Sequence, residues 1–168
     1  MFRGRKKAGG NLRKIITKKE TLDLADNVLI TARNVKTGKI IHQERQHNLI
    51  VLDGRNLIRD LLGGNTNNNL SHFAIGTNGI STADSMSALQ SEIFRNTITR
   101  FDFENNKLII NYFLASNEAN GNTIQEAGIF NAASGGTMYA RVIQSAIEKN
   151  ENISITYSWT TNILSVGG

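Results

Sequence analysis

Glu126-Ala127-Gly128-Ile129-Phe130-Asn131-Ala132-Ala133-Ser134-Gly135-Gly136-Thr137-Met138-Tyr139-Ala140-Arg141 reads as a strand, a glycine turn and a second strand. Gly135-Gly136 supplies the turn because glycine enters positive-φ wells without a Cβ penalty. The flanks, Ile129-Phe130 and Met138-Tyr139-Ala140-Arg141-Val142-Ile143, suit a pleated, half-buried surface. The same grammar extends both ways. From residue 93 onward the chain reads as strands over about 93–103, 107–115, 123–131, 137–147 and 152–164, with Asn105-Asn106 as a tight turn. Leu108, Ile110, Tyr112 and Leu114 share one face, and Ile153, Ile155, Tyr157, Trp159 and Thr161 share another. That period of two marks sheets with a buried face.

Upstream, residues 27–48 read as a hairpin turning at Lys36-Thr37-Gly38-Lys39, and residues 71–76 as a short strand. Residues 53–64 are the helix candidate. Asp53 stands as the N-cap, Leu57, Ile58, Leu61 and Leu62 form an inward stripe, and Gly63-Gly64 is the stop. Residues 81–91 read as a short helical turn that carries Met86, Leu89 and Ile93 inward. The expected fold is mainly β: a β-sandwich or barrel-like domain of about eight strands with one packed helix and an extended basic N-terminal arm. The arm spans 1–25 and the single β-rich domain 26–168.

Composition narrows the function. The 168 residues contain no cysteine and no proline. Disulfides and thiolate chemistry are thereby excluded, and the turns must come from Gly, Asn, Asp and Ser. No apolar run approaches the 18 residues of a membrane span, and the basic N-terminus lacks the apolar stretch of a secretory signal, so no membrane partner is expected. The net charge of +5 is unevenly spread. Arg3, Arg5, Lys6, Lys7, Arg13, Lys14, Lys18 and Lys19 place eight positive charges in the first 19 residues without one acid, and the remainder carries a net −3. Such an arm binds nucleic acid or acidic surfaces by diffuse electrostatics, or is solvated tail. Leu12, Ile15 and Ile16 are its early apolar residues and could anchor it to a neighbouring subunit.

The residue patterns do not assemble an enzyme. His42 and His47 lack a third ligand nearby and read as polar strand and loop positions. Arg55 and Arg59 lie four apart and read as a solvated helix face rather than a phosphate site. Gly76-Thr77-Asn78-Gly79 lacks the Lys and Ser/Thr of a phosphate-cradling loop. No serine occupies a nucleophile elbow. Glu126 lies within an apolar strand, and if inward it needs Arg141, Arg95 or backbone N–H groups as partner. It reads as a structural strut with Arg141 rather than as a catalytic acid. No catalytic, cofactor or metal site is expected.

One series of motifs carries a resemblance. Asn48-Leu49-Ile50-Val51-Leu52-Asp53-Gly54-Arg55-Asn56-Leu57-Ile58 is a turn into a helix. Phe73-Ala74-Ile75-Gly76-Thr77-Asn78-Gly79 follows, then Asp84, Leu89, Glu92 and Arg95, then residues 119–141 with Glu126-Ala127-Gly128-Ile129-Phe130. Over about residues 48–163 this order resembles the tail-collar or tail-fibre attachment modules of tailed bacteriophages. The resemblance implies a non-enzymatic virion structural protein, assembled in the host cytoplasm. It would form a homo-oligomer and dock on tail, portal, collar or capsid proteins through its arm and β-domain surface. A capsid decoration protein is the related alternative, and a nucleic-acid-binding module using residues 3–19 is the alternative from another class. A glycan-recognising fibre tip would need an aromatic or carboxylate cleft, which a single Trp in a regular strand position does not suggest.

Overall fold

Alternating apolar residues build two antiparallel sheets that close on one core. The computed structural model describes residues 21–166. Among them are ten strands and one helix: β1 Thr21–Asn34, β2 Ile40–Gln46, β3 Leu49–Ile50, α1 Leu52–Leu62, β4 His72–Gly76, β5 Glu92–Thr97, β6 Arg100–Glu104, β7 Lys107–Leu114, β8 Asn122–Phe130, β9 Met138–Lys149 and β10 Ile153–Val166. The first sheet has the order β2-β1-β10-β7-β6 and the second β3-β9-β8-β4-β5. The fold is a two-sheet β-sandwich, not a closed barrel.

The core sits where inward residues of the two sheets meet. Ile110, Tyr112 and Leu114 from β7 and Ile155, Tyr157 and Trp159 from β10 face Phe73 and Ile75 of β4, and all are buried. Phe73 stacks on Tyr112 at 4.5 Å between ring centroids and meets Trp159 edge-on at 6.3 Å. These offset and edge geometries suit the quadrupoles of the rings.

The structure revises several expectations. The stretch 93–103 is two strands in different sheets. The chain leaves the second sheet after Thr97 and enters the first at Arg100. At the crossing Ile98 is buried, its N–H donates to the Ser71 carbonyl, and the Thr99 N–H donates to the Asn111 carbonyl. This split and the two-residue β3 raise the count from about eight strands to ten. β1 begins at Thr21 and pairs with β10 from Thr21↔Val166 to Asn34↔Ile153, so residues 21–25, read as the end of the arm, belong to the sheet. The turn at Asn105-Asn106 is as expected, with Asn105 at positive φ. Gly135 and Gly136 both have positive φ, within a loop of residues 131–137.

The helix starts one residue early. Val51 is its extended N-cap; its hydrocarbon side chain has no acceptor and makes no cap, and its N–H donates to the Tyr139 carbonyl. Asp53 is therefore not the cap but a first-turn acid, where the helix dipole favours negative charge. Leu57 is buried, but Leu62 is 81% exposed and falls off the inward stripe. Gly54 is the contact point with β9: a Cβ there would collide with the backbone carbonyl of Tyr139. Because backbone cannot step aside as a side chain can, Gly54→Ala should destabilise the fold by about 2 kcal/mol or more. The measurement is the urea midpoint by circular dichroism, and an unchanged midpoint would refute this packing.

Candidate functional site

The second sheet is buried on both faces at its central strand β8, though not at its edge strand β5. Residues Glu126 to Phe130 of β8 are all buried, where one covered face would leave alternate residues wet. The half-buried surface expected for this hairpin is thus a fully buried one. The outer face is covered by residues 77–91, which connect β4 to β5 without helix or strand. The helical turn expected over 81–91 is absent. Met86 and Leu89 do pack inward, onto Val51, Ala74, Phe130 and Met138, but Ile93, expected inward with them, is exposed, because it lies on the edge strand β5. Connections this long without regular structure are uncommon in compact domains and are often functional.

Charged side chains hold the connection down. Glu126 and Arg141 are both fully buried, and Arg141 Nε donates to Glu126 Oε2 at 2.7 Å. Glu126 also accepts the backbone N–H of Gln90 at 3.1 Å and of Ser91 at 2.8 Å. Arg141 Nη1 donates to the Ile80 carbonyl at 2.8 Å and to Thr82 Oγ1 at 3.0 Å. One ion pair thereby ties both ends of the connection to β8 and β9. Gly76 makes room for it, since a Cβ there would stand 2.5 Å from Glu126 Oε1. Gly128 does the same for Leu89, whose Cδ2 would be 3.0 Å from such a Cβ.

Two more arginines complete the network. Arg55 of α1 grips Asp84 with two hydrogen bonds of 2.8 Å and also donates to the Ile50 carbonyl. Arg95 of β5 makes a two-bond pair with Glu92 and donates to the carbonyls of Ala132 and Gly135. Its guanidinium lies 3.6 Å from the centre of the Phe130 ring. Arg95, one candidate partner of Glu126, therefore secures the 131–137 loop instead. Arg59 pairs with its neighbour Asp60 at 2.8 Å, so Arg55 and Arg59 do not converge on one site. Lys149 is similarly inward, donating to the Ser116 and Asn150 carbonyls and to Asn120 Oδ1. Sequence reasoning missed the Arg55–Asp84 and Lys149 ties, which have no local signal: 29 residues separate Arg55 from Asp84.

The other sequence candidates distribute as follows. Arg3, Arg5, Lys6, Lys7, Arg13, Lys14, Lys18 and Lys19 lie outside the described residues. His42 stands 3.2 Å from Glu44, and His47 Nδ1 faces the Asp26 carbonyl. Among the described residues no three His, Cys, Asp or Glu side chains gather as a metal site, and no helix is long and apolar enough to cross a membrane.

Two depressions adjoin α1. The larger, about 550 Å³, is apolar and lies between Leu57, Ile58 and Leu61 of the helix and Leu24, Phe101 and Phe103 of the first sheet. The smaller, about 380 Å³, is polar, holds Asp53 and Asp60, and shares Leu57 with the larger one. Comparison with protein-family models, with curated proteins and with solved structures finds no match.

Asp26 is a second buried acid, unnoticed in the sequence. Its Oδ2 accepts Trp159 Nε1–H at 3.2 Å and Asn48 Nδ2–H at 3.0 Å. Burial lifts its carboxyl above the ordinary range, and these hydrogen bonds only partly offset the lift. The folded state thus holds this proton to higher pH than the unfolded state does. The resulting contribution to stability is full below the ordinary carboxylate range and is lost as pH rises through the raised value. Asp26→Asn should flatten that part of the stability–pH curve, as read by thermal melts from pH 4 upward. A slope equal to wild type would contradict the assignment.

For the ion pair, Glu126→Gln strands a buried guanidinium and should cost about 3–5 kcal/mol. It should also open the connection to protease between Asn78 and Gln90. Glu126→Gln combined with Arg141→Met removes the stranded charge and should recover part of the stability but not the protection. Urea titration and limited proteolysis read the two effects separately.

Proposed function

We propose that this chain is a non-enzymatic structural component of a tailed-phage virion, docking on tail, collar or head through its N-terminal arm and β-domain surface. One observation carries the reading. The residues behind the phage-module resemblance are scattered over the sequence, yet in space they form one network. Asp84 meets Arg55, Leu89 sits over Gly128, Glu92 holds Arg95 onto the Phe130 hairpin, and Glu126 holds Arg141. A motif that spends its charged residues on pinning loops suits a rigid module that presents a surface. Ile80, 61% exposed near the start of the pinned connection, is part of what it presents. Assembly as a homo-oligomer with other virion proteins follows from this reading.

Immunogold labelling of tailed particles that encode this chain tests it. Label at the tail or collar is the expected result, and label over the head selects the capsid-decoration form. Particles without label, together with a monomer by light scattering, would sink the proposal.

The eight positive charges of residues 3–19 favour a second reading, a nucleic-acid-binding arm. Here the logarithm of DNA affinity should fall linearly with the logarithm of salt concentration, with a slope of about −0.9 per phosphate neutralised. Fluorescence anisotropy with the full chain and with a chain lacking residues 3–19 measures it, and a flat salt response refutes it.

A further inference from the structure

We propose that the apolar groove beside α1 is the seat of this chain's own N-terminal segment, residues 12–16, with the adjoining acidic pocket receiving its flanking basic side chains. The groove is open, and its rim residue Phe103 is 79% exposed. Leaving such apolar surface in water is unfavourable at roughly 25 cal/mol per Å². Leu24 of β1 forms part of the wall, so the chain enters the described structure at the groove itself.

Leu12, Ile15 and Ile16 are spaced i, i+3 and i+4, the sequence spacing of a single apolar stripe. Arg13 and Lys14 interrupt the stripe, and Lys18 and Lys19 follow it. The receiving surface has the matching order: apolar between Leu61 and Phe103, then acidic at Asp53 and Asp60, with Leu57 common to both depressions. Asp53 pairs with no cation among the described residues, whereas Asp60 is held by Arg59. Ile16 precedes Thr21, the first residue of β1, by five positions, a span of at most about 18 Å. The segment is therefore within reach, and so short a tether gives an effective concentration of about millimolar, well above that of a second copy in dilute solution. This favours the chain's own segment as occupant. Arg3 to Lys7 precede the seated segment in the sequence, so the inference stands independently of the virion reading.

The chain has no cysteine, so engineered thiols report placement without interference. In the full-length protein, Ile15→Cys with Phe103→Cys should close an intramolecular disulfide under mild oxidation, seen as a faster-migrating monomer on a non-reducing gel. Ile15→Cys with Val35→Cys, at the opposite end of β1, should stay reduced. A disulfide-linked dimer from the first pair would give the groove to a second copy and overturn the proposal, as would equal closure of both pairs. Phe103 is exposed enough to be replaced without loss of core. Independently, deleting residues 1–16 should raise the fluorescence of an apolar-surface dye severalfold. Unchanged dye binding, including binding already high in the intact chain, would leave the groove to a foreign partner and also overturn the proposal.

Discussion

A carboxylate and a guanidinium, both withdrawn from water, set the terms for the second sheet. Taking Glu126 and Arg141 out of solvent costs several kcal/mol per ion, and the loss is offset only if every donor and acceptor finds a partner. The partners come from residues 78–91: two backbone N–H groups for Glu126, and carbonyl and hydroxyl oxygens for Arg141. The sheet and its covering connection are therefore one unit. Neither the pair nor the connection is satisfied alone, because an uncovered pair would not be dry and a connection without the pair would have unmatched backbone.

The rest of that side is arranged around the same requirement. Small residues on the outer face, Ala74, Gly76 and Gly128, let backbone approach closely enough for the carboxylate to reach it. Gly54 brings α1 against Tyr139, which positions Arg55 to hold Asp84 at the middle of the connection. Among the described residues the first sheet has no such cover. Its outer residues are Ser158, Thr160 and the exposed Phe113, and it relies on one apolar face against Phe73. The apolar groove lies at the sandwich end where β1 begins.

Much of the fold was legible because it repeats at short range. The period of two in residues 107–115 and 152–164 marked strands with one inward face. Asn105-Asn106 and Gly135-Gly136 marked their turns by backbone preference. The misreadings share a cause. Residues 93–103 look like one strand because Thr97, Ile98 and Thr99 all favour extended backbone, yet the chain changes sheets there through hydrogen bonds to Ser71 and Asn111. Asp53 has the chemistry of a cap, but pairing of Val51 with Tyr139 determines where the helix begins.

The candidate site divides along the same line. The sequence by itself determined that Glu126, within an apolar strand, must find a countercharge or backbone donors, since an unpaired buried carboxylate is too costly. It also determined that charge is concentrated in residues 3–19 and that thiol chemistry is absent. Only the tertiary structure decided that Arg141 rather than Arg95 meets Glu126, that Arg55 holds Asp84, and that Asp26 is buried beneath Trp159. It alone brought an apolar groove next to two acids where β1 starts. Local sequence encodes the conformational preference of each segment and the cost of burying each group. Which distant partner offsets that cost depends on how the two sheets and the helix come together, and that is a property of packing alone.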